Sequence, residues 1–222
     1  MGGLHNPPFA DFLSERQMLK TFLRLHYSPP DFSSAVTGTG VVALNGFEAD
    51  VRSGATAASD ARAYTEVDGL HPAQTVGGRV NFDYPLLFAC WFYVTTSNAA
   101  FTRYVQFKAA TTHGILAASG LGIEVANLAA TGETYGAARS TVALGSLTAG
   151  RPYKLLVAHY PGVKVEFWLD GALSGTITTT ANIPSGDSST KRHILASAGN
   201  GAASASAVLI AGGFQIVQKA TT

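Results

Sequence analysis

The chain has 222 residues, 46% of them hydrophobic and only 13% charged, with a formal net charge of +1. That length suits one β domain of ~200–250 residues with a substantial core, and the apolar content argues against disorder. Fifteen basic residues spread along the chain leave no nucleic-acid footprint, and no apolar run reaches the ~18 residues of a membrane span.

The first thirty residues differ from the rest. In "LSERQMLKTFLRLHYSPP" Ser14 is a good N-cap, Gln17 completes a capping box, and Leu13 and Met18 occupy the staple positions. Leu19, Phe22 and Leu23 continue an apolar stripe at helical spacing, and Pro29-Pro30 ends it. The pattern predicts an arm, residues 1–30, carrying a short amphipathic α-helix. Leu13, Met18, Leu19, Phe22 and Leu23 would dock it on a partner or neighbouring copy, or on its own domain. "MGGLHNPPFADFLSERQ" lacks the apolar core of a signal peptide, which predicts cytoplasmic synthesis, with any virion or extracellular location reached afterwards.

From residue 31 to 222 the chain reads as β. "GVVALNGFEADV" holds two short strands around Asn45-Gly46, a strong turn signal. A loop-rich stretch follows, with a short strand at Arg62 to Glu66. "PLLFACWFYVTT" is apolar on both faces, which predicts a central strand covered on both sides. "FTRYVQFKA" alternates and predicts a half-exposed strand. "GLGIEVANLA", "STVALGSL", "YKLLVAHY", "VKVEFWLD", "LSGTITTT", "KRHILASA" and "SAVLIAGGFQIVQKA" complete roughly a dozen strands. Pro161-Gly162 favours a loop longer than a plain two-residue turn, whereas Asp170-Gly171 suits a tight hairpin with positive φ angles. Val165, Phe167 and Leu169 should face a core; Lys164, Glu166 and Trp168 should face away from it. Short strands with frequent turns predict an antiparallel sandwich or jelly roll. The lone Cys90, inside "LLFACWFYV", reads as a buried, inert thiol.

"YPLLFACWFYVTTSN", "RPYKLLVAHYPGVKVEFWLDGALSGTI" and the closing "HILASAGN…AVLIAGGFQIVQKA" resemble, in strand type and order, a laminin-G-like or concanavalin A-like domain. The resemblance covers roughly residues 31 to 219. It implies an all-β, antiparallel two-sheet sandwich, the concanavalin A-like jelly roll, with a ligand groove on the concave face. It also implies calcium, for which Asp60, Glu66 and Asp68 are the nearest oxygen donors; no other cofactor is expected. Enzymes of related fold cleave polysaccharides with an "ExDxxE"-like carboxylate set, and this set is missing. Glu48 and Asp50 are the acidic pair at the right spacing on a convincing strand, and a solvated strand edge explains them better than catalysis. The scattered histidines form no zinc motif.

A sugar site would use Trp168 as a stacking platform, with Glu166 or His159 as hydrogen-bonding partners. Against this, Trp168 would pack under a loop, on the arm or at a subunit contact. The leading expectation is therefore a non-enzymatic structural or interaction protein. It would be a virion component, a capsid decoration or phage tail protein, assembling as a homo-oligomer with other structural proteins through sandwich and arm. The alternative is a lectin-like carbohydrate-binding module whose partners are glycans. Neither reading invokes nucleic acid or membrane insertion.

Overall fold

The structure, a computed structural model, describes residues 22–25, 33–45, 48–66, 81–95, 100–186, 193–200 and 207–219. Fifteen strands are described: β1 (Phe22–Leu25), β2 (Ser33–Thr37), β3 (Val41–Asn45), β4 (Glu48–Arg52), β5 (Asp60–Glu66), β6 (Leu86–Val94), β7 (Phe101–Lys108), β8 (Gly120–Ala126), β9 (Ala129–Tyr135), β10 (Arg139–Ser146), β11 (Tyr153–Tyr160), β12 (Lys164–Leu169), β13 (Ala172–Ile177), β14 (His193–Asn200) and β15 (Ala207–Lys219). They form two antiparallel sheets. Sheet A has the order β13-β12-β11-β6-β15-β4-β3, with β1 also on β15; sheet B has the order β10-β9-β8-β7-β14-β5-β2. An isolated bridge at Asn81 lies outside both orders.

The core lies between the sheets and follows the period-two rule of strands. From sheet A it takes Leu86, Phe88, Cys90, Phe92 and Val94 of β6, Leu155 and Val157 of β11, and Val165, Phe167 and Leu169 of β12. Sheet B supplies Val105 and Phe107 of β7, Ile123 of β8 and Ile194 of β14. β6 is central, as expected. Its other face contributes Leu87 and Ala89, which join Leu156 and Ala158 in a second, smaller cluster on the outer face of sheet A. Burial pushes the Cys90 thiol up, and its side chain is 1% exposed. A thiol needs its thiolate form and an open approach to react. Native protein should therefore leave a thiol-specific colorimetric reagent unconsumed, and one equivalent should react on unfolding in guanidinium.

The hairpin of β12 and β13 turns as the sequence predicts. Leu169 pairs with Ala172, and both Asp170 (φ 50) and Gly171 (φ 84) take positive φ, the signature of a type I′ turn. Asp170 also ties the corner down: its carboxylate accepts from Lys154 N at 2.9 Å and from Arg151 Nη2 at 2.6 Å. The loop between β11 and β12 is longer, as expected, and turns through Pro161–Val163, with Gly162 at φ 62.

Two expectations change. Phe22–Leu25 is a strand, so the helix expected to run through Phe22 and Leu23 does not. Beyond β4, which pairs with Ala207–Ile210, the same edge of β15 has backbone groups to satisfy, and β1 pairs with Ile216–Lys219. "FLRL" alternates as readily as it fits a helical stripe, and the open edge decides between them. Leu13, Met18 and Leu19 lie outside the described residues. Second, β7 is buried on both faces rather than half-exposed, because the segment 109–119 folds back over its outer side.

Candidate functional site

The sequence-predicted trio does not come together. On β12, Trp168 and Glu166 do share the outer face of sheet A. Trp168 is half-buried and packs against Leu87, Ala89, Leu156 and Ala158. The Glu166 carboxylate accepts from Lys164 Nζ at 2.6 Å. His159 has the parity of Leu155 and Val157, so it points inward. It is 1% exposed, its Nε2 lies 2.9 Å from Pro184 O, and its ring stands 5.1 Å from that of Phe82. It is a core histidine, not a partner for Trp168.

The acidic residues singled out for calcium are also apart. Asp60 and Glu66 stand at opposite ends of β5, and six residues of extended chain span about 20 Å, too far to share one ion. Asp60 is instead paired with Arg62 at 2.7 Å, and Asp68 lies outside the described residues. Among the described residues no group of three His, Cys, Asp or Glu side chains could hold a metal ion. Asp50 is taken by Arg52, two residues along β4, whose Nη2 sits 2.5 Å from Oδ2; the Glu48 side chain is outside the described set.

A polar constellation that the sequence reading missed covers the outer face of sheet B. Inward residues of β7 are Val105 and Phe107, so Thr102, Tyr104, Gln106 and Lys108 point outward. Register places Tyr104 opposite Glu124 of β8 and Ser197 of β14, and Gly122 opposite Glu133 of β9. Glu124 and Glu133 are nine residues apart in sequence, but the β8–β9 hairpin folds them onto one face. Arg139, which opens β10, bridges them: its Nε donates to Glu133 Oε2 at 2.9 Å and its Nη2 to Glu124 Oε2 at 2.6 Å. Tyr104 Oη donates to Glu124 Oε1 at 3.4 Å, and Gln106 Nε2 donates to Glu133 Oε1. Burial opposes the charge on Arg139, but the hydrogen bonds and charges of Glu133 and Glu124 outweigh it and raise its pKa. Burial, reinforced by the same two carboxylates, pushes the Tyr104 hydroxyl up.

Half of this face is covered and half is open. Segment 109–119, between β7 and β8, lies over Thr102, Tyr104, Gln106, Lys108 and Ser197. Gln106 Nε2 donates to Gly114 O at 3.0 Å, and Lys108 Nζ donates to Thr112 O at 2.8 Å and Gly114 O at 3.3 Å. Leu116 N donates to Glu133 Oε2 at 3.3 Å. Beyond the cover, Arg139 keeps 27% of its side chain exposed and Glu124 keeps 19%, whereas Glu133 is fully buried. Tyr135 pairs with Arg139, and Thr131 pairs with Glu124; both have the outward parity and are half-buried.

A carboxylate pair held by one guanidinium fork, with an aromatic ring beside it, can bind hydroxyl groups as acceptor and donor at once. Signals for it were present but faint. "IEVANLAATGETY" places the two glutamates at matching parity about a turn at Asn127, which takes φ 55.

No family model matches the chain, and no curated protein matches it. Solved structures do. A Shewanella oneidensis MR-1 protein of unknown function matches with TM-score 0.56 and 18% identity, covering 99% of this chain and 96% of that one. A sialidase matches with TM-score 0.53 and 11% identity over 89% of this chain and 17% of its own. Botulinum neurotoxin type C, whose cell entry is described as dependent on two ganglioside molecules, matches with TM-score 0.55 and 11% identity over 94% of this chain and 50% of its own. The virion, capsid-decoration and phage-tail description is corrected by these matches, which beside the protein of unknown function are to a sialidase and to botulinum neurotoxin binding domains. Among the described residues no helix is long and apolar enough to cross a membrane. The chain has an all-β, antiparallel jelly-roll sandwich fold, similar to that of the matched part of a sialidase and of the binding domains of botulinum neurotoxins.

Proposed function

We propose that the chain is a non-enzymatic carbohydrate-binding module whose sugar surface is the open end of the polar face of sheet B. The observation that carries this reading is the Arg139 clamp. It holds Glu124 and Glu133 in fixed positions at the rim of a half-covered face, with Tyr135 and Thr131 alongside. Sugars are recognised by a few convergent, preorganised polar groups and an aromatic surface, and this rim offers both. The ganglioside dependence of a toxin with the same fold supports the choice of ligand class.

The clamp also speaks for binding without cleavage. Glycoside hydrolysis needs two carboxyl groups ~5–9 Å apart, on either side of the scissile bond. Here both carboxylates grip one guanidinium, and Arg139 occupies the space a glycosidic oxygen would need. Native electrophoresis through gels containing soluble polysaccharides tests the proposal. At least one polysaccharide should retard the protein, with no new reducing ends after prolonged incubation. Unaltered mobility in a broad panel would count against binding, and released reducing ends would count against the non-enzymatic reading.

A further inference from the structure

We infer that segment 109–119 is an acid-released cover over the polar face of sheet B, with His113 as its latch. The inference deepens the binding proposal, since it concerns access to that same face. The latch is built from hydroxyls and a missing side chain. His113 Nδ1 lies 3.0 Å from Ser197 Oγ, and Nε2 lies 3.2 Å from Thr102 Oγ1. The ring stands edge-on to Tyr104 at 4.9 Å. Gly199 leaves the room: a Cβ there would come within 2.1 Å of Nε2. So the imidazole is seated on outward positions of two neighbouring strands, β7 and β14, and the loop on either side of it is tied down by Lys108 and Gln106.

The seat accepts a neutral ring and opposes a charged one. Asp60 and Arg62 of β5 face it, already paired with each other at 2.7 Å. From β7 come Lys108, whose ammonium bonds the carbonyls of Thr112 and Gly114 on both sides of His113, and the Tyr104 hydroxyl. β14 presents Ser197 and Gly199, which carry no charge. Burial dominates in pushing the imidazole down to about 4; Asp60 opposes this, while Lys108 and Arg62 add to it. In the released loop the ring returns to its ordinary value of 6.5. The released state then binds the extra proton between those two values, so closure is fully favoured above pH 6.5, weakens progressively as pH falls below it, and has lost the whole contribution once pH has passed below about 4. Shifting from 6.5 to about 4 means that the opening equilibrium constant rises up to about 300-fold on full acidification and about 30-fold by pH 5. Opening would free Glu133 from Leu116 and extend the sugar surface from Arg139 to Tyr104 and Ser197.

Amide hydrogen exchange across pH 7.5 to 4, corrected for intrinsic rates and run without any glycan, tests the latch independently of binding. Amides of 109–119 should lose protection selectively while β11 and β12 keep theirs, with a midpoint matching the His113 titration seen by NMR. Equal protection of the loop at every pH would overturn the inference, as would loop opening and imidazole titration at clearly different pH values. His113→Gln keeps hydrogen-bonding capacity without the proton. It should remove the pH dependence of the loop; an unchanged acid transition in this variant would overturn the role of His113.

Discussion

Replacing Glu133 with alanine should destabilise the protein by about 3–5 kcal/mol, the effect of stripping one member from a buried charged pair. The carboxylate is fully buried and accepts from Gln106 Nε2, Leu116 N and Arg139 Nε. Its loss takes from Leu116 N the acceptor it uses, leaves Gln106 Nε2 with Gly114 O alone and leaves Arg139 with Glu124 alone, and each unmade bond carries its own desolvation penalty. Urea denaturation should show a lower midpoint at unchanged m. Glu133→Gln keeps an acceptor but not the charge that Arg139 needs, so it should fall between wild type and Glu133→Ala. A near-neutral Glu133→Ala would mean that the polar face is not organised around this residue.

The other large effect lies in the core. Phe167→Ala should cost about 3–5 kcal/mol, the usual range for emptying a buried aromatic site. Phe167 belongs to β12 of sheet A, yet its ring reaches across to β9 of sheet B, where a Cβ on Gly132 would sit 2.8 Å from two of its ring carbons. The ring therefore takes up space that a side chain at 132 would need, and few groups stand ready to collapse into it. Gly132→Ala should be destabilising in the wild type through overpacking and markedly less so when combined with Phe167→Ala. Such coupling is the signature of residues in direct contact. Additive effects in the double mutant would contradict the inter-sheet contact.

Much of the architecture was legible before the structure. "VEFWLDGALSGTI" alternates cleanly and carries its own turn chemistry, so the inward set Val165, Phe167 and Leu169 and the Asp170-Gly171 corner could be read directly. β3 and β4 around Asn45-Gly46 and the doubly apolar β6 were equally plain. β9 was not, because "AATGETY" has no apolar alternation; its inward residues are small or polar, making room for Phe167. β1 was read as helix because its sequence suits both states and the edge of β15 lies far away in the chain.

The site was less legible for a related reason. Strand parity was available for His159, which follows Leu155 and Val157 to the inside, away from the face that carries Trp168. Glu124, Glu133, Arg139 and Tyr104 come from four strands, and each is unremarkable alone. Only the register joins them. Burial of the polar side of β7 depends on segment 109–119 folding back, which no local pattern in "ATTHGILAASG" announces.

The central claim is that sugars bind at the Arg139 rim of sheet B and not at Trp168 on sheet A. A glycan array probed in parallel with wild type, Arg139→Ala and Trp168→Ala addresses it most directly. The expected result is a reproducible set of wild-type hits, retained by Trp168→Ala and reduced at least tenfold by Arg139→Ala. Hits that survive in Arg139→Ala but vanish in Trp168→Ala, with both variants folded, would contradict it.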